Sequence, residues 1–194
     1  IPGVRISKRN NVPLVFEVRD LWPEIPIALK VIQNPALIYL SRKLADWAYK
    51  NAESVIALSP QMKEGIFKRN ADKFIKTIPN GSDVEVFFPD QIKSKVFRQD
   101  YKIPNDSILI TYAGAFGLVN GVSYIVKLAE KFKENKRVFF LLLGNGSECE
   151  KVLNLADELG CLNHNLLWID SLPKEKMPYV LSATDISLST VIPV

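Results

Sequence analysis

Seven short apolar runs punctuate this chain, and most are unbroken: Val12–Val18, Ser54–Leu58, Phe74–Ile78, Ile108–Ala113, Val138–Leu143, Leu166–Ile169 and Asp185–Thr190. A strand that faces water on one side alternates apolar and polar residues. A strand that is apolar throughout is covered on both faces, which happens in parallel sheets sandwiched by helices. The segments between the runs carry helical periodicity with recognisable ends. Asn34 before Pro35 reads as an N-cap with proline at the first helical position, and Leu37, Leu40, Leu44, Trp47 and Ala48 form that helix's stripe. Ser59-Pro60 repeats the device ahead of Met62 and Ile66. Ser147-Glu-Cys-Glu150 reads as a capping box ahead of Val152, Leu155, Ala156 and Leu159, with Gly160 as the stop. The fold class is therefore α/β with parallel sheets.

The rhythm breaks once. Ile78–Pro89 holds two prolines and the turn-forming pair Asn80-Gly81, and a polar helix over Asp90–Tyr101 follows. This reads as a domain junction, with residues 1–88 before it and 89–194 after it. A long internal loop of one larger domain is the other reading. Three strands precede the break and four follow it. Neither set makes a doubly wound sheet of five or six, and the chain stops in Thr190–Val194 just after a strand. It also begins without methionine, so it reads as an internal fragment.

One strand ends in chemistry. Ile108–Ala113 runs into a turn carrying Gly114, Gly117 and Gly121, and a helix pattern with Val122, Ile125, Ala129 and Phe132 on one face begins at once. First-turn N–H groups are unpaired, the helix dipole is positive there, and glycine lets an anion approach the backbone. Phosphate binding is one reading of this turn, and a plain βα connection is the other. The spacing is neither G-x-G-x-x-G nor a Walker loop.

Composition narrows the classes. No apolar segment reaches the roughly 18 residues of a membrane span, and no signal-peptide pattern opens the chain. The net charge of +4 among 194 residues is too small and scattered to argue for nucleic acid. The basic stretch Arg5–Arg9 reads as a solvated helix end or as a contact for anionic lipid. Cys149 and Cys161 suggest buried thiols in a reducing compartment. The single histidine, His164, sits in a polar turn with no carboxylate or nucleophile partner in a recognisable arrangement. No D-x-D triplet and no Cys/His cluster suggests a metal, so none is expected.

The motifs come in a telling order: Val18-Arg-Asp-Leu-Trp-Pro-Glu24, Ala57-Leu-Ser-Pro-Gln-Met-Lys63, Ile78-Pro-Asn-Gly-Ser-Asp83 with Phe87-Phe-Pro89, Tyr112-Ala-Gly-Ala-Phe-Gly117 with Asn120-Gly121, Leu143-Gly-Asn-Gly146, then Leu172–Met177 with Ala183-Thr-Asp185. This series, spread over nearly the whole chain, resembles the group-1, retaining, nucleotide-sugar glycosyltransferases of GT-B architecture. The bacterial branch that builds O-antigen, capsule and exopolysaccharide is the most similar. The resemblance implies two Rossmann-like domains facing across a cleft, both incomplete here. Residues 1–88 would be the C-terminal part of the acceptor-side domain, and 89–194 the N-terminal part of the nucleotide-sugar-binding domain.

The resemblance also implies roles. Gly114, Phe116, Gly117, Asn120 and Gly121 would lie under the diphosphate of a UDP- or GDP-sugar. Gly144, Asn145 and Gly146 would approach the nucleotide, or simply make a flexible βα turn. Asp170 and Ser171 stand where the family reads the base through its backbone, and turn chemistry explains them equally well. Asp20 would orient an acceptor hydroxyl, or serve as an N-cap or as an ion-pair partner for Arg19, which stands where many relatives carry histidine. The family's cations after the glycine turn are replaced here by Leu118 and Asn120, leaving Lys127 or an absent segment to compensate. Its E-x7-E glutamates would follow Asp185–Thr190, where the chain ends. The expected activity is sugar transfer with retention to a saccharide or lipid-linked acceptor. The setting would be cytoplasmic, with peripheral contact at the inner membrane, and the fragment would be inactive alone. A GT-B nucleotide-sugar epimerase and a non-catalytic sugar-nucleotide-binding module are the alternatives.

Overall fold

Among the described residues all strand pairing is parallel, as the unbroken apolar runs lead one to expect. The computed structural model describes residues 2–69 and 73–192. The chain divides into two units, one running to Gly81 and the other from Ser82 onward.

The first unit is built from α1 (Pro2–Asn10), β1 (Val15–Val18), α2 (Glu24–Ala28), α3 (Pro35–Asn51), β2 (Ser54–Ala57), α4 (Pro60–Phe67) and β3 (Phe74–Thr77), with sheet order β1-β2-β3. The N-caps read from sequence form. Asn34 Oδ1 accepts from the Ala36 and Leu37 amides at 2.9 and 3.4 Å, and Ser59 Oγ accepts from Met62 N at 3.2 Å. Two expectations fail locally. β1 begins at Val15, not Val12, because both backbone groups of Val12 are taken by Ser7 at the end of α1. The stripe Leu37, Leu40, Leu44 and Trp47 faces outward; Ala45 and Tyr49 are the buried residues of α3. Alanine at 45 and 52 lets the helix approach closely, and the Tyr49 ring lies 5.4 Å from Phe16.

The second unit comprises α5 (Gln91–Asp100), β4 (Ile108–Ala113), α6 (Ser123–Lys131), β5 (Val138–Leu143), α7 (Cys149–Glu158), β6 (Leu166–Ile169), a 3-10 turn at Lys174–Lys176, α8 (Met177–Ala183) and β7 (Ile186–Leu188). Sheet order is β6-β5-β4-β7. Successive side chains of β5 enter different cores. Val138, Phe140 and Leu142 pack with residues of α6 and α7, whereas Leu141 and Leu143 pack with residues of α5 and α8. Phe140, Leu141 and Leu142 are wholly buried, each contributing about 1.5–3 kcal/mol of burial. This two-sided covering is the physical meaning of the run Val-Phe-Phe-Leu-Leu-Leu.

β7 is shorter than Asp185–Thr190. The Asp185 carboxylate turns back to Arg98 and to the Leu109 amide, and Thr190 Oγ1 donates to the Asn120 carbonyl. Pro193 and Val194, the end of the expected terminal loop, lie outside the described residues. Residues 82–88, read from sequence with the first unit, belong to the second. Ser182 Oγ donates to the Phe88 carbonyl and accepts from Asp90 N, while Lys93 and Lys174 sit over the rings of Phe88 and Phe87.

Candidate functional site

The carboxyl ends of β4, β5 and β6 meet at a hollow of about 410 Å³, lined by Ala113, Gly114, Ala115, Leu143, Gly144, Asn145, Ser171, Leu172 and Met177. Parallel strands all deliver their outgoing turns to this end, which is where open α/β sheets hold ligands. Four of the residues singled out from sequence, Gly114, Gly144, Asn145 and Ser171, come together here. The lining is mostly apolar, a surface suited to a flat ring.

The turns are stitched to one another. Gly114 N donates to Leu143 O at 3.0 Å, Phe116 N to Asn145 O at 2.9 Å, and Glu148 N to Phe116 O at 2.8 Å. Such proximity explains two glycines. A Cβ on Gly144 would stand 2.0 Å from the Gly114 carbonyl oxygen, and one on Gly146 would stand 2.6 Å from that of Phe116. Both residues also have positive φ, 133° and 158°. These glycines serve the packing of one turn on another. The capping box read at Ser147 does not form. Glu148 occupies the N-cap of α7 with no side-chain cap bond, and its carboxylate pairs with Lys151 at 2.7 Å.

Asp170 completes the stitching. Its Oδ1 accepts from Ser171 N at 2.6 Å and from Asn145 Nδ2 at 3.1 Å, and Asn145 Oδ1 accepts from Gly146 N at 2.7 Å. The Ser171 amide, followed by the Asn145 side chain, holds the Asp170 carboxyl below its ordinary range. Two aromatic side chains to which the sequence reading gave no role also brace the hollow. Tyr112 Oη donates to the Ala115 carbonyl at 2.8 Å, and Trp168 Nε1 donates to Gly144 O at 3.0 Å. The signal was available: the polar tip of a buried aromatic at a strand end needs a partner.

The glycine turn itself is less uniform than its sequence suggests. Phe116 is wholly buried in the core, and both of its backbone groups are engaged. The amides of Ala115, Gly117 and Leu118 make no hydrogen bond among the described residues and remain available. Asn120 N donates to Gly117 O, its carbonyl accepts from Thr190, and Ile192 N donates to Val119 O. Gly121 has φ of 58°, and its missing Cβ would stand 2.8 Å from Ile192. Gly121 opens toward a different hollow, about 820 Å³, whose lining includes Leu118, Ser123, Tyr124, Lys127 and Lys151. Lys127 therefore lines that groove and not the hollow at Gly114. No lysine or arginine lines the smaller hollow.

In the first unit, Arg19 pairs with Glu17 at 2.9 Å, and not with Asp20. The Asp20 carboxylate has no partner among the described residues. Asp20 lines a hollow of about 310 Å³ with Phe16, Val18, Trp22, Leu44 and Tyr49. His164 lies in the turn before β6, where its amide donates to Cys161 O. Cys149 and Cys161 are buried free thiols, and burial pushes both pKa values up. Among the described residues there is no group of three or more metal-ligating side chains, and no helix is long and apolar enough to cross a membrane.

Residues 93–192, just over half of the chain, match the family model described as glycosyl transferases group 1. No curated protein matches the chain. Among solved structures, HepE of Anabaena in complex with UDP and glucose superposes with a TM-score of 0.78 at 18% identity, covering 97% of this chain and 49% of that one. Sucrose-phosphate synthase of Thermosynechococcus elongatus gives 0.74 at 17%, covering 95% and 46%. WaaG, a glycosyltransferase involved in lipopolysaccharide biosynthesis, gives 0.72 at 15%, covering 96% and 55%. The architecture is that of these GT-B proteins, and the chain spans about half their length.

Proposed function

The chain belongs to the group 1 glycosyl transferases, and from that premise we propose that it is part of a retaining enzyme. Such an enzyme would move a sugar from a UDP- or GDP-sugar to a saccharide or lipid-linked acceptor. The observation that carries the reading is a coincidence of place. The matched residues 93–192 are those that build the hollow at the ends of β4, β5 and β6. HepE, solved with UDP and with UDP-glucose, supports a uridine nucleotide as the first ligand to try.

In this proposal the apolar floor of the hollow takes the base beside Ser171 and Leu172. The open amides of Ala115, Gly117 and Leu118 face the diphosphate. Fixed N–H dipoles aimed at the departing diphosphate lower the barrier without reorganising during the reaction. The charge of the leaving group is met by the backbone, with no metal invoked. The first unit, through Asp20 and the hollow it lines, takes the acceptor. Cell-surface polysaccharide is the proposed product class. The proposed setting is the cytoplasm, with the basic stretch Arg5–Arg9 at the inner membrane.

One observation favours a second reading. With no cation lining the hollow, the diphosphate lacks the charge-assisted bonds of about 1.5–3 kcal/mol each that would anchor it. A sugar-nucleotide-binding module without turnover does not have to stabilise the further charge that develops as the diphosphate departs. Titration of the chain with UDP and with GDP, monitored by calorimetry and by amide chemical shifts, together with incubation of the full-length parent with UDP- and GDP-sugars and saccharide acceptors, separates the readings. Binding that perturbs the Gly114–Gly117 and Ser171 amides, with transfer, supports the enzyme. Binding there without transfer supports the module. No binding at those amides overturns both.

A further inference from the structure

We infer that Asn145 is the positioning residue that locks the phosphate-facing turn and the base-facing loop into one unit; this rests on the donor-site reading of the hollow. Three strand ends meet in this one residue. Its carbonyl accepts from Phe116 N at 2.9 Å, which ties it to the turn after β4. Its Oδ1 accepts from Gly146 N at 2.7 Å, which fixes its own turn after β5. Its Nδ2 donates at 3.1 Å to Asp170 Oδ1, the oxygen that also accepts Ser171 N at 2.6 Å in the loop after β6.

Each polar atom of the Asn145 side chain thus has a protein partner. The residue acts through Ser171 on one side and through Phe116 on the other, and not by reading the base itself. The amides of Ala115 and Gly117 are held in register with Ser171 before any nucleotide arrives. Ordering that is complete beforehand is not charged against binding.

The shared oxygen makes the arrangement testable by a double-mutant cycle. Asp170 Oδ1 accepts both Ser171 N and Asn145 Nδ2, so once Asp170→Ala has removed it, Asn145→Ala has no route left to Ser171. The single change Asn145→Asp sets two carboxylates against each other, and Asn145→Ala removes the bridge.

The experiment measures UDP and GDP affinity by calorimetry, together with amide hydrogen exchange at Ser171, Gly146 and Leu141. Each single variant is expected to weaken UDP and GDP by the same factor, about tenfold, the scale of one lost hydrogen bond. Exchange should quicken at Ser171 and Gly146 while Leu141, in the core of β5, stays protected. Asn145→Ala added to Asp170→Ala should weaken binding and quicken exchange at Ser171 little beyond Asp170→Ala alone. A loss confined to one nucleotide would mean that Asn145 contacts the base, and would overturn the inference. So would losses that simply add in the pair Asn145→Ala with Asp170→Ala, or unchanged exchange at Ser171. If neither nucleotide binds the unaltered chain, the donor-site reading falls, and exchange at Ser171 and Gly146 alone decides whether Asn145 couples the loops.

Discussion

At the residue scale, the glycines at the sheet's carboxyl end divide by what surrounds them. Gly144 has no room: a Cβ would stand 2.0 Å from a backbone oxygen, at φ of 133°. Gly144→Ala should therefore destabilise the second unit by about 3 kcal/mol or more, since backbone cannot step aside and the conformation itself is strained. At Gly117 the nearest atom is the Asn120 side-chain oxygen at 2.9 Å, and φ is not positive. Gly117→Ala should cost less than about 1 kcal/mol, because a flexible side chain can move. Urea unfolding of both variants checks the contrast, and equal costs would contradict it. The sequence displayed all these glycines alike. It could not say which are excluded by a neighbouring turn, because that neighbour arrives from the next βα unit, some thirty residues away. The placement of Gly114, Gly144, Asn145 and Ser171 at one hollow was legible, because parallel strands send every outgoing turn to the same end. The inward burial of Phe116 and the engagement of Asn120 by Thr190 were not, because each depends on a tertiary partner.

Among the elements, strands buried on both faces were the most legible, because Val138–Leu143 and Ile108–Ala113 satisfy two cores at once. Helix α3 was the least, because two adjacent stripes on it are both apolar. Periodicity favours the larger side chains, yet packing against β2 uses Ala45, Ala52 and Tyr49, where small residues permit close approach. The expected outcome is direct: Tyr49→Ala should cost about 3–5 kcal/mol, as removal of a buried aromatic does. Leu40→Ala, at a side chain 60% exposed, should change stability by no more than about 0.5 kcal/mol. Similar losses in chemical denaturation would show that α3 is turned the other way. Helix α5 offers a pH test. The Asp90 carboxylate accepts from the Lys93 and Ile92 amides at 3.1 and 2.9 Å and pairs with Lys93 Nζ at 3.3 Å. The Lys93 amide leads in holding the Asp90 pKa below its ordinary value. A carboxylate depressed in the folded state stabilises above the unfolded value of about 3.9 and loses that contribution as pH falls through the folded one. Asp90→Asn should therefore flatten the decline of unfolding midpoint below about pH 5, with the part due to Asp170 remaining. An acid limb as steep as in the unaltered chain would refute the assignment.

For the molecule as a whole, the two units have separate cores and the candidate donor hollow belongs to the second alone. A ligand that binds one unit stabilises that unit by mass action and leaves the other where it was, unless the two unfold as one. The chain carries its own reporters. Trp22 and Trp47 lie in the first unit, and Trp168 lies in the second, donating to the Gly144 carbonyl beside the hollow. Replacing Trp22 and Trp47 by phenylalanine leaves Trp168 as the single indole probe. With UDP at a hundred times its dissociation constant, the transition that Trp168 reports should gain about 2.7 kcal/mol. The component of the unaltered chain's melt that disappears with Trp22 and Trp47 should not move. Coincident transitions that shift together on adding UDP would show that the two cores unfold cooperatively. A shift confined to the tryptophans of the first unit would put the nucleotide there and remove it from the ends of β4, β5 and β6.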